Sequence, residues 1–134
     1  MKAVAQGIVF AVGVIAASQS QAAWEQIVGK RGEVVVYLDS ETLRASGKLR
    51  VAWVLHDLLD AKPPSQMSLK TRLEVDCAGD RYRLTDSIAY SAPMGQGKVL
   101  DSVYGVTNAA WENAVPGSVS GGMQREICIT PLKH

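Results

Sequence analysis

The feature that most constrains the fold is an alternation of apolar and polar residues along three segments in the middle of the chain. Residues 48–57, 68–77 and 81–90 each change character at about every second position. A period of two is typical of a β-strand that is buried on one side and solvated on the other. Short turn-forming stretches at 77–80 and 94–97 follow the second and third segments. They predict that neighbouring strands are joined by tight connections, the first of them a hairpin.

The alternation also assigns side chains to the two sides of the predicted sheet. His56 lies among the polar residues of the first segment, which predicts a solvated surface histidine. The apolar residues of that segment are expected to face the core: Leu49, Val51, Trp53 and Leu55. Those of the third segment are expected to share one side: Tyr82, Leu84, Ile88 and Tyr90.

Further elements flank these three strands. Residues 34–39 are short and β-branched, which predicts a more deeply buried strand, and residues 24–28 and 98–104 are weaker strand candidates. Ser118 is expected to cap a helix over residues 119–129, although each of its two internal glycines costs about 1 kcal/mol. Tertiary packing or a disulfide must therefore hold that helix. Trp24 and Trp111 are expected to close the ends of the sheet and to pack against the C-terminal helix.

Residues 1–23 have the pattern of a secretory signal peptide. Lys2 supplies a positive start, residues 8–17 an apolar run, and residues 18–23 a polar stretch ending in small residues. The run is shorter than the about 20 apolar residues that span a bilayer. We expect residues 1–23 to be removed and residues 24–134 to form a single domain in the periplasm or outside the cell. The predicted cleavage point has no nearby cysteine, so no lipid anchor by that route is expected. The sequence after it has no second long apolar segment, so no membrane span is expected either.

Cys77 and Cys128 are the only cysteines of the chain. In an oxidising compartment such a pair predicts one structural disulfide. The alternative is a redox or metal pair. Their spacing is far from Cys-x-x-Cys, and only His56 and His134 could add nitrogen ligands. The structural disulfide is therefore the favoured interpretation.

The charge balance excludes several kinds of partner. The chain has 14 lysines and arginines against 13 aspartates and glutamates, and because Lys2 falls in the signal, 13 remain against 13. A dedicated nucleic-acid binder would show a strong basic excess. A polybasic membrane attachment segment is also absent from the sequence.

Sequence patterns of catalysis are missing as well. Ser118 lies in a Pro-Gly-Ser-Val-Ser-Gly stretch that does not follow a strand, as a Gly-x-Ser-x-Gly nucleophile would require. His56 and Asp57 are adjacent on one strand and so point to opposite sides, which prevents a triad-like hydrogen bond. No zinc spacing, calcium loop or phosphate-binding glycine motif is present. The sequence predicts a protein that is not an enzyme and that holds no metal or cofactor.

A candidate binding face comes from basic residues on the polar sides of the three strands. If the strands are neighbours, their basic side chains form a stripe that could engage polyanions such as sulphated glycans or lipopolysaccharide. The alternative is an ordinary solvated face on which Glu74 and Asp76 pair with basic residues across strands. The candidate residues are Lys48, Arg50, Lys70, Arg72, Arg81 and Arg83.

A set of short sequence pieces, in order, resembles the surface-adhesin protein E family of Gram-negative envelopes. The pieces are Trp24, residues 36–39, residues 51–55 with a proline-bearing loop after them, residues 68–70 and 74–77, Tyr90, residues 94–97, Trp111, residues 116–118 and Cys128. They run through almost the whole chain after residue 23.

The resemblance implies an α+β fold in which an antiparallel sheet of about six strands packs against a C-terminal helix, with the disulfide tying helix to strand. It also implies a domain that binds extracellular matrix, host or envelope proteins rather than one that catalyses. The adhesins that give the family its name are lipoproteins. This chain departs from them because it has no cysteine at the predicted cleavage point.

Two alternative functions are compatible with the sequence. A small periplasmic enzyme inhibitor or accessory protein would insert a protruding loop, most simply residues 61–66, into the cleft of its target. A small hydrolase would instead need a cleft that holds His56 together with a carboxylate and a nucleophile.

Overall fold

The structure, a computed structural model, describes residues 24–31 and 34–133; the predicted signal peptide lies outside them. Within those ranges the chain forms eight strands and one α-helix. The strands are β1 (Trp24–Arg31), β2 (Val34–Asp39), β3 (Arg44–Ser46), β4 (Leu49–Leu58), β5 (Ser68–Asp76), β6 (Arg81–Tyr90), β7 (Val99–Val103) and β8 (Glu112–Asn113). The helix, α1, is Val119–Ile129.

All strands belong to one antiparallel sheet with the order β1-β2-β4-β5-β6-β7. The two short strands extend this order: β3 pairs with β4 beyond the end of β2, and β8 pairs with β6 beyond the end of β7. Neighbouring strands are mostly consecutive in sequence, as hairpin connections require. The predicted α+β fold, an antiparallel sheet with a C-terminal helix, is confirmed.

Helix α1 packs across one side of the sheet, which we call the helix side; the opposite side is the open side. Met123 and Ile127 of α1 are buried against apolar side chains of the central strands. Burial of such side chains is the main stabilising term of a small domain, at roughly 1.5–3 kcal/mol for each. The sheet residues of this core are Val28, Val36, Leu38, Ala52, Val54, Leu73 and Val75.

The prediction for β4 was wrong about which of its residues face the helix. Ala52 and Val54 lie in the core beneath α1, whereas Trp53 lies on the open side. The reason is that β4 is covered on both sides. On the open side, the Met94 amide of the β6–β7 connection donates to Asp57, and a Cβ atom at Gly95 would lie 3.6 Å from the buried Leu55. A strand buried on both sides carries a continuous apolar run, so its alternation is weak.

His56 is also placed differently from the prediction. It lies on the helix side, opposite Val36 and Leu69 and in one cavity with Met123, and its Nδ1 atom is buried. It is therefore not a solvated surface histidine. Asp57 points to the open side, where it accepts a hydrogen bond from the Met94 amide at 3.1 Å. The prediction that these adjacent residues point to opposite sides is confirmed.

A bulge in β6 corrects a second prediction. Arg72 lies opposite Asp86 but Leu73 lies opposite Leu84, so Thr85 is an extra residue. An extra residue reverses the alternation along the rest of a strand. Tyr82 and Leu84 therefore face the helix, while Ile88 and Tyr90, predicted on the same side, face the open side.

Both ends of α1 are fixed by side chains. Ser118 Oγ accepts a hydrogen bond from the Gly121 amide at 3.1 Å, which confirms the predicted cap. A Cβ atom at Gly121 would overlap the carbonyl oxygen of Val115, so only glycine allows this close approach. At the other end Arg50 Nη1 donates to the carbonyls of Ile127 at 2.8 Å and Thr130 at 2.6 Å. These bonds satisfy carbonyls that a helix end leaves free.

The disulfide joins this helix to the sheet. Cys77, just after β5, is bonded to Cys128 in α1, with their Cα atoms 5.8 Å apart. The predicted pairing is confirmed. In the part of the chain that the structure describes, no helix is long and apolar enough to cross a bilayer.

Candidate binding face

The open side of β5 and β6 carries a dense set of charged side chains. Strand alternation places every second residue of β5 there. Because of the bulge at Thr85, Asp86 lies on the same side of β6 as Arg81 and Arg83. The charged residues of this surface are Lys70, Arg72, Glu74, Asp76, Arg81, Arg83 and Asp86. Together with Trp53 and Trp111 they form what we call the arginine–tryptophan face.

Two arginines of this face stack on one indole ring. The Cζ atoms of Arg81 and Arg83 lie 4.4 Å and 4.3 Å from the ring centroid of Trp111. Strand β8 holds the tryptophan there, because Glu112 pairs with Tyr82 and so places the preceding residue beside Arg83. Guanidinium groups over an indole face are attracted by the ring quadrupole, by about 0.5–1 kcal/mol at exposed sites.

Each acidic residue of β5 and β6 on this face pairs with an arginine directly across the strands. Arg81 Nε is 2.9 Å from Asp76, and Arg83 Nε is 2.7 Å from Glu74. The hydrogen bond from Arg81, followed by that from the Gly79 amide, lowers the pKa of the Asp76 carboxyl. Both ion pairs use the Nε atom, so the terminal nitrogens of the two guanidinium groups lie outside these bonds.

The third pair belongs to a hydrogen-bonded cluster at the bulge. Arg72 Nη1 lies 3.9 Å from Asp86 and donates to Thr85 Oγ1 at 3.1 Å. Thr85 Oγ1 in turn donates to Asp86 at 2.8 Å. The orientation of Arg72 is thus fixed by its neighbours.

A second cation–aromatic contact lies toward β4. Lys70 Nζ is 5.3 Å from the ring centroid of Trp53. A shallow hollow of about 270 Å³ adjoins this ring and is lined by Thr42, Arg44 and Arg72, among others. The face therefore presents two tryptophans, each with basic groups against it, on neighbouring parts of one sheet.

The structure brings together four of the six predicted basic residues. Lys70, Arg72, Arg81 and Arg83 share the open side, in the register given by the β5–β6 pairing. Lys48 is exposed in the turn between β3 and β4. Arg50 lies on the helix side, bound to the end of α1.

The charge of this face differs from a basic stripe. On β5 and β6 its four basic residues are accompanied by three acidic ones, which leaves an excess of one positive charge. The sequence suggested the pairing of Glu74 and Asp76. It gave no signal for the stacking of Trp111, which was expected on the helix.

His56 and Asp57 do not form a catalytic pair in the described part of the chain. His56 Nδ1 has no hydrogen-bond partner there, and Asp57 points to the other side of the sheet. In the same part of the chain, no group of three histidine, cysteine, aspartate or glutamate residues is arranged to hold a metal ion.

Fold and surface together define a small disulfide-linked domain with an ordered face of paired charges and tryptophans. The sequence model of the surface-adhesin protein E family matches residues 24–129, and the chain belongs to this family. Membership implies an exported protein and a surface-adhesin-like binding module. Comparison with curated protein sequences gives no significant match.

Solved structures of Haemophilus influenzae protein E share the fold. Crystal form II superposes with a TM-score of 0.59 at 15% sequence identity, covering 88% of this chain and 96% of that chain. A further protein E structure gives 0.57 at 14% identity, covering 86% and 90%. Protein E from non-typeable Haemophilus influenzae gives 0.54 at 15% identity, covering 87% and 82%. At this identity the likeness shows a common fold and does not transfer a binding residue.

Proposed function

We propose that this chain is an exported, non-catalytic domain that binds an extracellular or envelope protein through the arginine–tryptophan face. The observation that carries the proposal is the stack of Arg81 and Arg83 on Trp111, at 4.4 Å and 4.3 Å. Tryptophan and arginine are the residue types most enriched among those that dominate binding energy at protein interfaces.

The ordering of the face supports this role. Binding normally costs about 0.5–1.5 kcal/mol for each long side chain that it immobilises. Here the ion pairs to Asp76 and Glu74 and the ring of Trp111 already hold both arginines. A partner would therefore meet a surface whose side chains are largely fixed before it binds.

The charge of the face indicates the chemistry of the partner. With one excess positive charge on β5 and β6, attraction to a bulk polyanion is weak. The guanidinium nitrogens outside the ion pairs can donate to single carboxylates or carbonyls, and the indoles offer apolar area. The expected partner is a protein surface that combines acidic and apolar side chains rather than a sulphated glycan or lipopolysaccharide.

Export is part of the proposal. Residues 1–23 have the signal-peptide pattern, and the family is one of surface adhesins. We infer a mature domain of residues 24–134 that acts in the periplasm or outside the cell. Fractionation of the native organism, with mass spectrometry of the mature N-terminus, tests both the cleavage point and the destination.

The contact face is tested by binding of purified variants to matrix proteins and to native envelope extract, measured by surface plasmon resonance. Trp111→Ala should weaken binding to the captured protein by roughly 30-fold, the size expected for a residue worth about 2 kcal/mol. Arg125→Gln, an exposed arginine on α1, is the matched control and should bind like the parent protein. Circular dichroism verifies that both variants fold.

Heparin serves as the competing polyanion. If the double variant Arg81→Gln with Arg83→Gln loses heparin binding while Trp111→Ala keeps protein binding, a basic stripe operates instead of the proposed face. Protein binding that is unchanged in both the tryptophan and the double arginine variants would exclude this surface as the contact.

A further inference from the structure

A pocket lies on the helix side, between the first half of α1 and the strands β4, β5 and β6. Its volume is about 360 Å³, and its apolar lining includes Leu73, Leu84, Val119 and Met123. This size falls at the lower end of the about 300–1,000 Å³ range of small-molecule sites. A water molecule takes about 30 Å³ of liquid volume, so the pocket is far larger than a single water site.

Two polar atoms buried in the wall of this pocket have no partner. Thr71 is 2% exposed, and neither its Oγ1 nor the Nδ1 of His56 makes a hydrogen bond within residues 24–31 and 34–133. Both residues line the pocket. They are close neighbours on the sheet, because Thr71 lies opposite Val54 and Leu69 lies opposite His56. Leaving such a group unsatisfied costs about 1–3 kcal/mol, so a pair of them in residues that line one cavity is unusual, although both atoms are turned away from its open space.

Polar groups also mark the rim of the pocket. Tyr82 and Ser120 line it, and the exposed Glu112 of β8 lies at the same edge, opposite Tyr82. Burial, with a further contribution from the Glu112 carboxylate, raises the pKa of the Tyr82 phenol, although a hydrogen bond with Ser120 acts in the other direction. The negative charge of Glu112 is therefore felt inside the rim.

We propose that this pocket binds a small uncharged amphiphile: the Thr71 and His56 side chains turn toward it, its polar head hydrogen-bonds to Thr71 Oγ1 and His56 Nδ1, and its apolar part lies against Leu84, Val119 and Met123. A hydroxyl head can both donate and accept, so it suits a threonine hydroxyl and an imidazole nitrogen together. This site is separate from the arginine–tryptophan face, which lies on the other side of the sheet.

The electrostatics favour an uncharged head over a charged one. An anionic head would have to pass the carboxylate of Glu112. A cationic head beside Thr71 and His56 would be buried without a counter-charge, which is costly. Its better position would be at the rim next to Glu112, with the two unpartnered atoms still unsatisfied.

The test uses three probes with the same chain length: 1-octanol, octanoate and octylammonium. Binding is followed by NMR through the amide of Thr71 and the methyl group of Met123. We expect 1-octanol to shift both signals saturably, and octanoate and octylammonium to bind at least fivefold more weakly.

Variants separate the polar contact from simple partitioning into an apolar space. Thr71→Val removes the hydroxyl at nearly constant shape, so it should weaken 1-octanol binding about fivefold while leaving the melting temperature equal or higher. Thr107→Val, at an exposed position, is the matched control and should bind like the parent. Val119→Phe, which fills the pocket from the helix, should abolish binding.

Three outcomes would overturn the proposal. Absence of any saturable shift with 1-octanol would mean that the pocket holds water only. Equal binding of 1-octanol to the parent and to Thr71→Val would show that the hydroxyl makes no contact with the head. Equal or tighter binding of octanoate or octylammonium would contradict the preference for an uncharged head.

Discussion

The two sides of the sheet satisfy their polar groups in opposite ways. On the open side of β5 and β6, Asp76, Glu74 and Asp86 each lie against an arginine, and two of those arginines also stack on Trp111. On the helix side, Thr71 and His56 carry buried atoms without partners in the described part of the chain. The acidic groups of the open side are thus paired within the protein, whereas the helix side contains a cavity next to polar groups that lack partners in the described part of the chain.

This difference separates stability from contact. Ion pairs near the surface contribute at most about 1 kcal/mol each, so the open side adds order more than stability. The helix side contains the apolar core, the disulfide and the bonds from Arg50 to the end of α1. We therefore expect substitutions on the helix side to change the free energy of unfolding, and those on the open side to change binding.

The largest effect is expected at the disulfide. Cys77 and Cys128 are separated by 51 residues, and closing a loop of this length stabilises a fold by about 4 kcal/mol on the chain-entropy model. The double variant Cys77→Ser with Cys128→Ser should lose about this amount in urea unfolding. An unfolding free energy within 1 kcal/mol of the parent would show that packing alone holds α1 on the sheet.

A matched pair of arginines compares the two sides directly. Arg50→Gln removes two charge-assisted bonds to helix carbonyls, at 2.8 Å and 2.6 Å, and should cost about 2 kcal/mol. Arg83→Gln removes one partly exposed ion pair and should cost less than about 1 kcal/mol. Urea unfolding of both variants, with Lys48→Gln as an exposed reference, measures the difference. Equal losses at Arg50 and Arg83 would contradict the division of roles.

The smaller effects are changes of stability with pH, and groups on the two sides of the sheet cause them in different pH ranges. Burial lowers the pKa of His56 below its ordinary value of 6.5. Above pH 6.5 the histidine is neutral in both states and its contribution is fully present. As the pH falls below 6.5, the unfolded chain takes up the proton more readily, so stability declines until the lowered native pKa is passed.

Asp76 on the open side should act only in stronger acid. Its pKa is lowered from 3.8, first by the hydrogen bond from Arg81, so its contribution is present above pH 3.8 and is lost as the pH falls further. Thermal unfolding from pH 7.5 to 3 should show both declines. His56→Gln, which leaves the neighbouring Glu112 and Tyr82 in place, should flatten the decline in stability below pH 6.5. Asp76→Asn should flatten the decline below pH 3.8. A pH profile that His56→Gln leaves unaltered would contradict the burial of a neutral imidazole.

Much of the fold was predictable because local patterns decide it. Strands β5 and β6, their hairpin, the helix Val119–Ile129 and its cap at Ser118 all follow from alternation, turn residues and capping preferences. The disulfide followed from the only two cysteines. In each case the residues that determine the structure lie close together in sequence or have no competing partner.

What the sequence did not predict depends on contacts between distant residues. Alternation shows which residues of β4 share a side, but not which side the helix covers, so Trp53 and His56 were assigned to the wrong sides. The bulge at Thr85 has no strong local signal, and it moved Ile88 and Tyr90. The binding face was predicted only in part. Arg50 binds instead to the end of α1, 77 residues away in sequence, and Trp111 is positioned by β8, a strand of only two residues.

The position of the disulfide has a consequence for the timing of folding during export. Strands β1, β2, β4, β5 and β6 occur in the same order in the sequence and in the sheet, so most of the sheet can assemble while the chain is still emerging from the membrane. Cys128 lies in α1, which comes after all of them. We therefore expect the covalent bond to form late and to lock a sheet that already exists rather than to guide its assembly.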